Sequence, residues 1–238
     1  MIVIPMAGLS SRFFNAGYTL PKYMLALDHQ TVFEWSVSSF KQYFETDLFI
    51  FVVSDKFDTD VFVKTRAEKL GIKNFQIVKL NHDTKGQAHT VFLGLENALE
   101  DELFIFNIDS KLNNFVKMTN YLECDGYLEV FKGEGVHWSF VEEGINYTVK
   151  KTTEKNRISD LCSDGLYYFK SSELFKEIVA NKLLEYSNEE LYIAPLYNDY
   201  ISRNKHIKFN LVDISDIDFC GTPQEYIETL EKISGSKI

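Results

Sequence analysis

Cysteine is scarce in this chain, with three residues in 238: Cys124, Cys162 and Cys220. They lie far apart, show no metal-ligand spacing and leave an odd count, so free thiols in a reducing compartment are expected. Positive charge is also short, with 25 Lys and Arg against 35 Asp and Glu and a formal net charge of −10. Phosphate backbones demand a basic face, so general nucleic-acid binding is not expected. A pocket for one phosphorylated ligand needs only a few local cations and remains open to the chain. No apolar run approaches the ~18 residues of a membrane-spanning helix. The first residues lead directly into a short strand, with no basic segment or cleavage site ahead of it. No membrane partner is expected, and a cytoplasmic location follows. The five histidines, His29, His82, His89, His137 and His206, follow no ligand pattern. No Ser-His-Asp or Cys-His arrangement can be argued from spacing, and there is no internal repeat, low-complexity tract or linker.

Apolar residues are plentiful at 45%, enough to exclude a disordered chain, and the length suits one core. Short apolar runs alternate with segments of helical period. Strands are expected at 2–5, 48–53, 75–80 and 103–107, with helices at 31–43, 57–70 (closed by Gly71) and 87–99. This rhythm predicts an α/β fold with a mostly parallel sheet and helices on both faces. After residue 110 the rhythm changes. The runs 126–131, 137–142 and 146–151 read as a small antiparallel insert or a sheet extension, and 165–169 (GLYYF) as another buried strand. Helices at 171–181 and 189–203, a strand at 207–212 and a last helix at 223–234 complete the reading. Most of the 20 Phe and 13 Tyr belong in the core; the core is also expected for Trp138, with a pocket wall or an oligomer contact as its alternatives, and the aromatic content is compatible with a homodimer.

The most informative stretch is Ile2-Val3-Ile4-Pro5-Met6-Ala7-Gly8-Leu9-Ser10-Ser11-Arg12, followed by Leu20-Pro21-Lys22. A buried strand runs into a small-residue loop whose N–H groups can point into a concavity suited to an anion. Arg12 can grip two phosphate oxygens with its fork, and Lys22 can supply a point charge. On residues alone an ordinary turn with a solvated Arg12 competes with a phosphate site. The run 13–18 between the two motifs reads as a mobile flap. Neither a Walker loop nor a dinucleotide fingerprint is present.

This opening resembles that of the sugar-1-phosphate nucleotidyltransferases: a hydrophobic strand, A-G-x-G-x-R, a variable stretch, then P-K. Ser10 stands where that family usually has its second glycine. The spelling IPMAG…SRF…AGYTLPKYM resembles the bacterial subgroup found with capsule and surface-polysaccharide biosynthesis. Further motifs follow in order along nearly the whole chain: Gly86-Gln87-Ala88, Asn107-Ile108-Asp109, Glu154-Lys155, Gly165-Leu166-Tyr167 and Gly221-Thr222-Pro223. The resemblance implies a single-domain, Rossmann-like (GT-A-type) mixed sheet. Residues 1–110 would form an NTP-binding half and 111–238 an acceptor-binding half.

The implied roles fall at the carboxyl ends of strands, where open α/β sheets bind ligands. Met6, Ala7, Gly8, Leu9, Ser10 and Ser11 would cradle the nucleotide, with Arg12 and Lys22 as the catalytic cations. Gly86, Gln87, Ala88 and Asn107 would complete the nucleotide site, Gln87 offering both donor and acceptor to a base edge; a helix cap is the competing reading. Asp109 would hold Mg2+, which favours a few carboxylates plus phosphate oxygens and waters, although a helix N-cap before 112–121 is the alternative. Glu154, Lys155 and Gly165 would line the acceptor pocket, unless Glu154-Lys155 is only a charged turn. The family often has a second metal aspartate just before the Gly-Thr. Phe219 occupies that slot here, which leaves Asp218, one residue away, as the candidate ligand.

The implied reaction joins an NTP (CTP, UTP or dTTP) to a phosphorylated small-molecule acceptor and releases pyrophosphate. A glycosyltransferase would share the architecture but normally shows Asp-x-Asp, which Asn107-Ile108-Asp109 matches only in part. A non-catalytic nucleotide-binding homologue is the third reading, and the missing aspartate at Phe219 is what favours it.

Overall fold

The computed structural model describes residues 1–99, 101–185 and 189–235. In chain order the strands are β1 (Ile2–Met6), β2 (Ala26–Leu27), β3 (Gln30–Thr31), β4 (Leu48–Ser54), β5 (Asn74–Leu80), β6 (Leu103–Phe106) and β7 (Ser110–Leu112). They continue with β8 (Gly126–Lys132), β9 (Ser139–Glu143), β10 (Val149–Glu154), β11 (Leu161–Phe169), β12 (Ile207–Leu211) and β13 (Ile217–Phe219). The helices are α1 (Ser11–Asn15), α2 (Val32–Val37), α3 (Thr59–Leu70), α4 (Gln87–Gly94), α5 (Ser172–Leu184), α6 (Tyr197–Ser202) and α7 (Pro223–Gly235).

The main sheet is mixed. β1 pairs in parallel with β4 and β6, and β5 extends the parallel part beyond β4. β11 then runs antiparallel to β6 and carries β8 along its other edge, with β12 parallel to β8. The runs read as an insert, β9 and β10, join this same sheet through Cys162 opposite Phe140. β13 and β7 form a separate antiparallel pair.

Fully apolar strands can be buried on both faces, and here alternate residues divide between two cores. Val3, Ile50, Val52 and Ile105 face α4, α5 and α6. Ile2, Ile4, Phe49, Phe51, Phe104 and Phe106 face α2 and α3. A third cluster joins Phe13, Leu25, Leu27, Trp35 and Cys220 to Tyr226 and Leu230 of α7, and the Tyr226 hydroxyl donates to Ala26 O at 2.7 Å.

Several expected elements are cut short for identifiable reasons. The helix expected at 31–43 opens with a Thr31–Glu34 capping box but tightens to a 3-10 turn over Ser38–Tyr43. There the Ser38 and Ser39 hydroxyls donate to Trp35 O and Ser36 O, both at 2.6 Å, competing for helix carbonyls. The helix expected at 189–203 starts late because Leu191 exchanges backbone bonds with Lys85 and Ala88 at 2.8 and 2.9 Å. No helix forms over 112–121, since Ser110–Leu112 is a strand. The flap expected at 13–18 is instead anchored: Phe13 is buried and contacts Tyr18 and Tyr226 edge to face. All three cysteines are free and buried. Among the described residues no helix is long and apolar enough to cross a membrane.

Tyr197 ties α6 to the sheet. Its buried hydroxyl lies 2.6 Å from Tyr127 O and 2.9 Å from Tyr168 O, carbonyls on paired strands that share its single proton. Tyr197→Phe strands those acceptors and is expected to cost about 1–2 kcal/mol, measurable by denaturant unfolding.

Candidate active site

β1 and β6 end side by side, and on the far side of β6 the strand β11 has an irregularity. Its register against β8 shifts between Ser163 and Tyr167, while its other edge passes from β9 to β6. The opening left there is a cleft of about 410 Å3. Met6, Gly8, Ser10, Arg12, Lys22, Asn107, Asp109, Glu154, Lys155 and Gly165 all line it.

The loop after β1 turns at Ser10, whose φ of 50° and ψ of 29° are left-handed. Glycine takes that conformation freely, and a serine costs about 1–2 kcal/mol. The serine hydroxyl in turn accepts the Lys22 backbone N–H at 3.3 Å, linking the two halves of the motif. Lys22 Nζ meets Asp109 Oδ2 at 2.5 Å in a half-buried ion pair. Asp109 is held from behind as well: its carbonyl accepts the Cys220 N–H at 2.7 Å, and a Cβ on Gly221 would come within 2.9 Å of Oδ2. Burial and the Asp109 carboxylate push the Cys220 thiol up to about 12, which leaves it inert.

A second pocket of about 510 Å3 adjoins the cleft and is lined by Ala7, Leu9, Ser11, Gly86 and Gln87. Gly86 has φ of 123°, and any Cβ there would lie 2.5 Å from Leu191 N. Gln87 lines both cavities and donates its side-chain N–H to Asn107 Oδ1. Ala88 lines neither; it is fully buried and donates its N–H to Leu191 O, so it is a core residue that positions the loop. His89 Nδ1 accepts the Lys85 N–H at 3.0 Å, again a positioning contact.

Beside the Gly86 loop, which Glu190 touches, Lys155 Nζ lies 4.4 Å from the centroid of the Tyr192 ring, bonds its hydroxyl, and sits 3.9 Å from Glu154. Tyr192 OH donates to Glu190. Glu154 accepts from Ser139, and burial raises its proton affinity. Gly165, φ 97°, brings its backbone against Asn107, whose amide would be only 2.5 Å from a Cβ.

The crystal structure described as the nucleoside-diphosphate-sugar pyrophosphorylase from Vibrio cholerae RC9 is 47% identical to this chain, covers 97% of it and 100% of its own length, and superposes with a TM-score of 0.92. The chain belongs to the sugar nucleotidyltransferase family. UDP-glucose pyrophosphorylase complexed with UDP-glucose (16% identity, 99% and 98% coverage, TM-score 0.78) shares the fold. So does the inositol-1-phosphate CTP transferase from T. maritima (16% identity, 98% and 95% coverage, TM-score 0.72). No family model and no curated protein matches the chain.

Besides Ala88, one expected residue of this nucleotidyltransferase lines neither cavity. Asp218 accepts from Asn113 at 3.0 Å and pairs with Lys232, and its neighbour Phe219 is the side chain that lines the cavity. Alternation along β13 turns the two to opposite sides, so Asp218 does not face the cleft beside Asp109. Tyr192 and Glu190 carried no sequence signal, because they come from a segment that reads as helix. The signal for a further site residue was a charge inside an apolar strand: Asp164.

Asp164 and Glu129, on paired strands, are 2% and 3% exposed. Asp164 Oδ1 accepts the Leu166 N–H at 2.9 Å, and Asn210 donates to Glu129 at 2.9 Å. Asp164 Oδ2 is sealed from solvent, and its neighbour is the Glu129 carboxyl. Burial raises both acids above the ordinary carboxylate range, and the neighbouring Glu129 carboxyl raises Asp164 further. The folded chain thus binds more protons than the unfolded one, and the pair's contribution to stability falls as pH climbs from ~4 toward the raised folded values. Asp164→Asn removes that penalty. It is expected to melt about 2–4 °C above the parent near pH ~8 for each kcal/mol relieved, the difference closing toward pH ~4 in a calorimetric series.

Proposed function

We propose that the chain joins an NTP to a phosphorylated small molecule. An oxygen of the acceptor phosphate bonds to the α-phosphorus, the bond from that phosphorus to the β-phosphate oxygen breaks, and pyrophosphate leaves. The observation that carries this reading is the convergence of Arg12, Lys22, Asp109 and Lys155, from four separate segments, on one cleft beside the Gly86–Gln87 pocket. Residues 1–110 serve the nucleotide and 111–238 chiefly the acceptor. The nucleotide is CTP, UTP or dTTP, its base edge met by Gln87 against the backbone of Gly86.

Two anions must approach each other, so positioning and fixed positive charge carry the catalysis. Arg12 and the N–H groups of residues 7–11 hold the leaving pyrophosphate. Lys22 bears on the α-phosphate as charge builds there. Lys155 neutralises the acceptor phosphate and Glu154 accepts from an acceptor hydroxyl. Gly165 keeps the acceptor close to the backbone of β11.

Asp109 offers the cleft a single hard oxygen donor group. Among the described residues no cluster of three His, Cys, Asp or Glu could hold a metal. That donor set fits Mg2+, which takes one or two carboxylates and completes its shell with phosphates and water. Asp109 would hold the ion, which when bound supplies positive charge to the phosphates. The spelling of the first loop favours an enzyme serving capsule or surface-polysaccharide synthesis, and the three free thiols favour a reducing, cytoplasmic compartment.

The test is pyrophosphate release in Mg2+, with each NTP set against a panel of phosphorylated sugars, polyols and amino alcohols. Release should require one NTP and one acceptor. Arg12→Ala and Lys22→Ala should each lower kcat by roughly 100-fold or more with melting temperature retained. If no NTP raises the melting temperature of the parent protein, the reading fails.

A further inference from the structure

Lys155 is held in place more firmly than a solvated lysine would be. Its backbone is left-handed, with φ of 53°, a conformation that is costly for any residue with a side chain. Its N–H donates to Trp138 O at 2.9 Å, and its Nζ donates to the Tyr192 hydroxyl. That hydroxyl has one proton and gives it to Glu190, so toward Lys155 it can only accept. Tyr192 is fixed in turn by its own segment. Leu191 bonds through its backbone to Lys85 and Ala88. Glu190 packs so closely over Gly86 that a Cβ there would lie 2.9 Å from Glu190 Cγ. Lys155, Glu190 and Tyr192 all line the cleft.

We infer that Tyr192 is a positioning residue, whose neutral hydroxyl fixes the Lys155 ammonium in the cleft for the phosphate of the acceptor. This rests on the transferase reading of the same cleft and adds a residue to it. A lysine side chain gives up much rotamer freedom when it is ordered. Where the protein has already ordered it, less is lost as the acceptor arrives. The chemistry of the partner matters as much as its place. A carboxylate would also fix the ammonium, but it would cancel the charge that a phosphate needs. A phenol oxygen fixes it and leaves that charge whole. Burial and the Glu190 carboxylate raise the Tyr192 phenol above its ordinary pKa, so it stays neutral at working pH. Glu154, 3.9 Å from Lys155 Nζ, is beyond hydrogen-bond reach of it and accepts from Ser139 instead.

Tyr192→Phe removes the hydroxyl and keeps the ring. With Lys155→Ala and the double variant it closes a cycle that isolates the coupling between the two residues. Each protein would be assayed for pyrophosphate release with CTP, UTP and dTTP. The acceptors would be glucose 1-phosphate, inositol 1-phosphate, glycerol 3-phosphate and phosphocholine, which have the phosphate monoester in common. On any pair that the parent turns over, Tyr192→Phe should lower kcat/KM for the acceptor about tenfold, the scale of one hydrogen bond to a charge. The KM for the NTP and the melting temperature should not change. In the Lys155→Ala background the same substitution should have no effect, because it acts through that ammonium. Isothermal titration of the four proteins with inorganic phosphate needs no acceptor. Phosphate binding that Lys155→Ala abolishes should weaken by a similar factor in Tyr192→Phe. An undiminished kcat/KM or phosphate affinity in Tyr192→Phe would overturn the role. So would a further loss on adding it to Lys155→Ala, a raised KM for the NTP, or phosphate binding indifferent to Lys155. The transferase reading survives each of these results and falls only if no NTP binds the parent protein.

Discussion

A half-buried ion pair, Lys22 to Asp109 at 2.5 Å, joins the loop that follows β1 to the loop that follows β6. Those loops are 87 residues apart in the chain, and adjacent only because β1 and β6 are parallel neighbours. The C-terminal segment is drawn to the same point through Cys220 N–H to Asp109 O. An exposed pair of this kind would contribute little. Here side-chain exposures of 21% and 25% leave the charges partly desolvated, and backbone contacts on both sides hold them. Three distant stretches of sequence are thereby fixed around one carboxylate.

The rest of the cleft follows from the irregularity in β11. A strand paired evenly on both edges would have closed the sheet beneath the site. Because β11 exchanges β9 for β6 along one edge, Gly165 can lie against Asn107 while Asp164 is buried against Glu129. The two consequences differ in kind. A glycine of left-handed φ leaves room for the Asn107 side chain at the cleft. A buried acid pair costs stability at neutral pH, and an apolar pair of similar shape would avoid that cost.

Much of the fold was legible because burial on both faces forces continuous apolar runs, and those runs mark β1, β4 and β6 almost to the residue, while the edge strand β5 shows as an alternating run. Gly71, with φ of 82°, ends α3 where the sequence places its stop. Two of the misreadings have one cause, local pattern overruled by a distant partner. Residues 189–193 have helical composition but are captured by the Gly86 loop, and Phe13–Tyr18 reads as a mobile flap until α7 covers Phe13 and Tyr18. Within the site, the loop motif and the strand-end aspartate were legible because small residues and a carboxylate after a buried strand have few other uses. Tyr192, Glu190 and Trp138 were not, since ordinary core or surface positions use the same residue types.

The sequence alone determined the α/β class, the order of the nucleotide loop, Pro-Lys and strand-end aspartate, and the family resemblance that the 47% identical relative bears out. Those features are written locally, in runs of a few residues whose backbone demands are strict. Tertiary structure alone decided that Phe219 faces the cleft while Asp218 turns to Lys232, and that Asp164 meets Glu129. A one-residue step along a strand reverses which side chain faces the cavity, and composition does not record that step. Pairing between strands far apart in the chain fixes it.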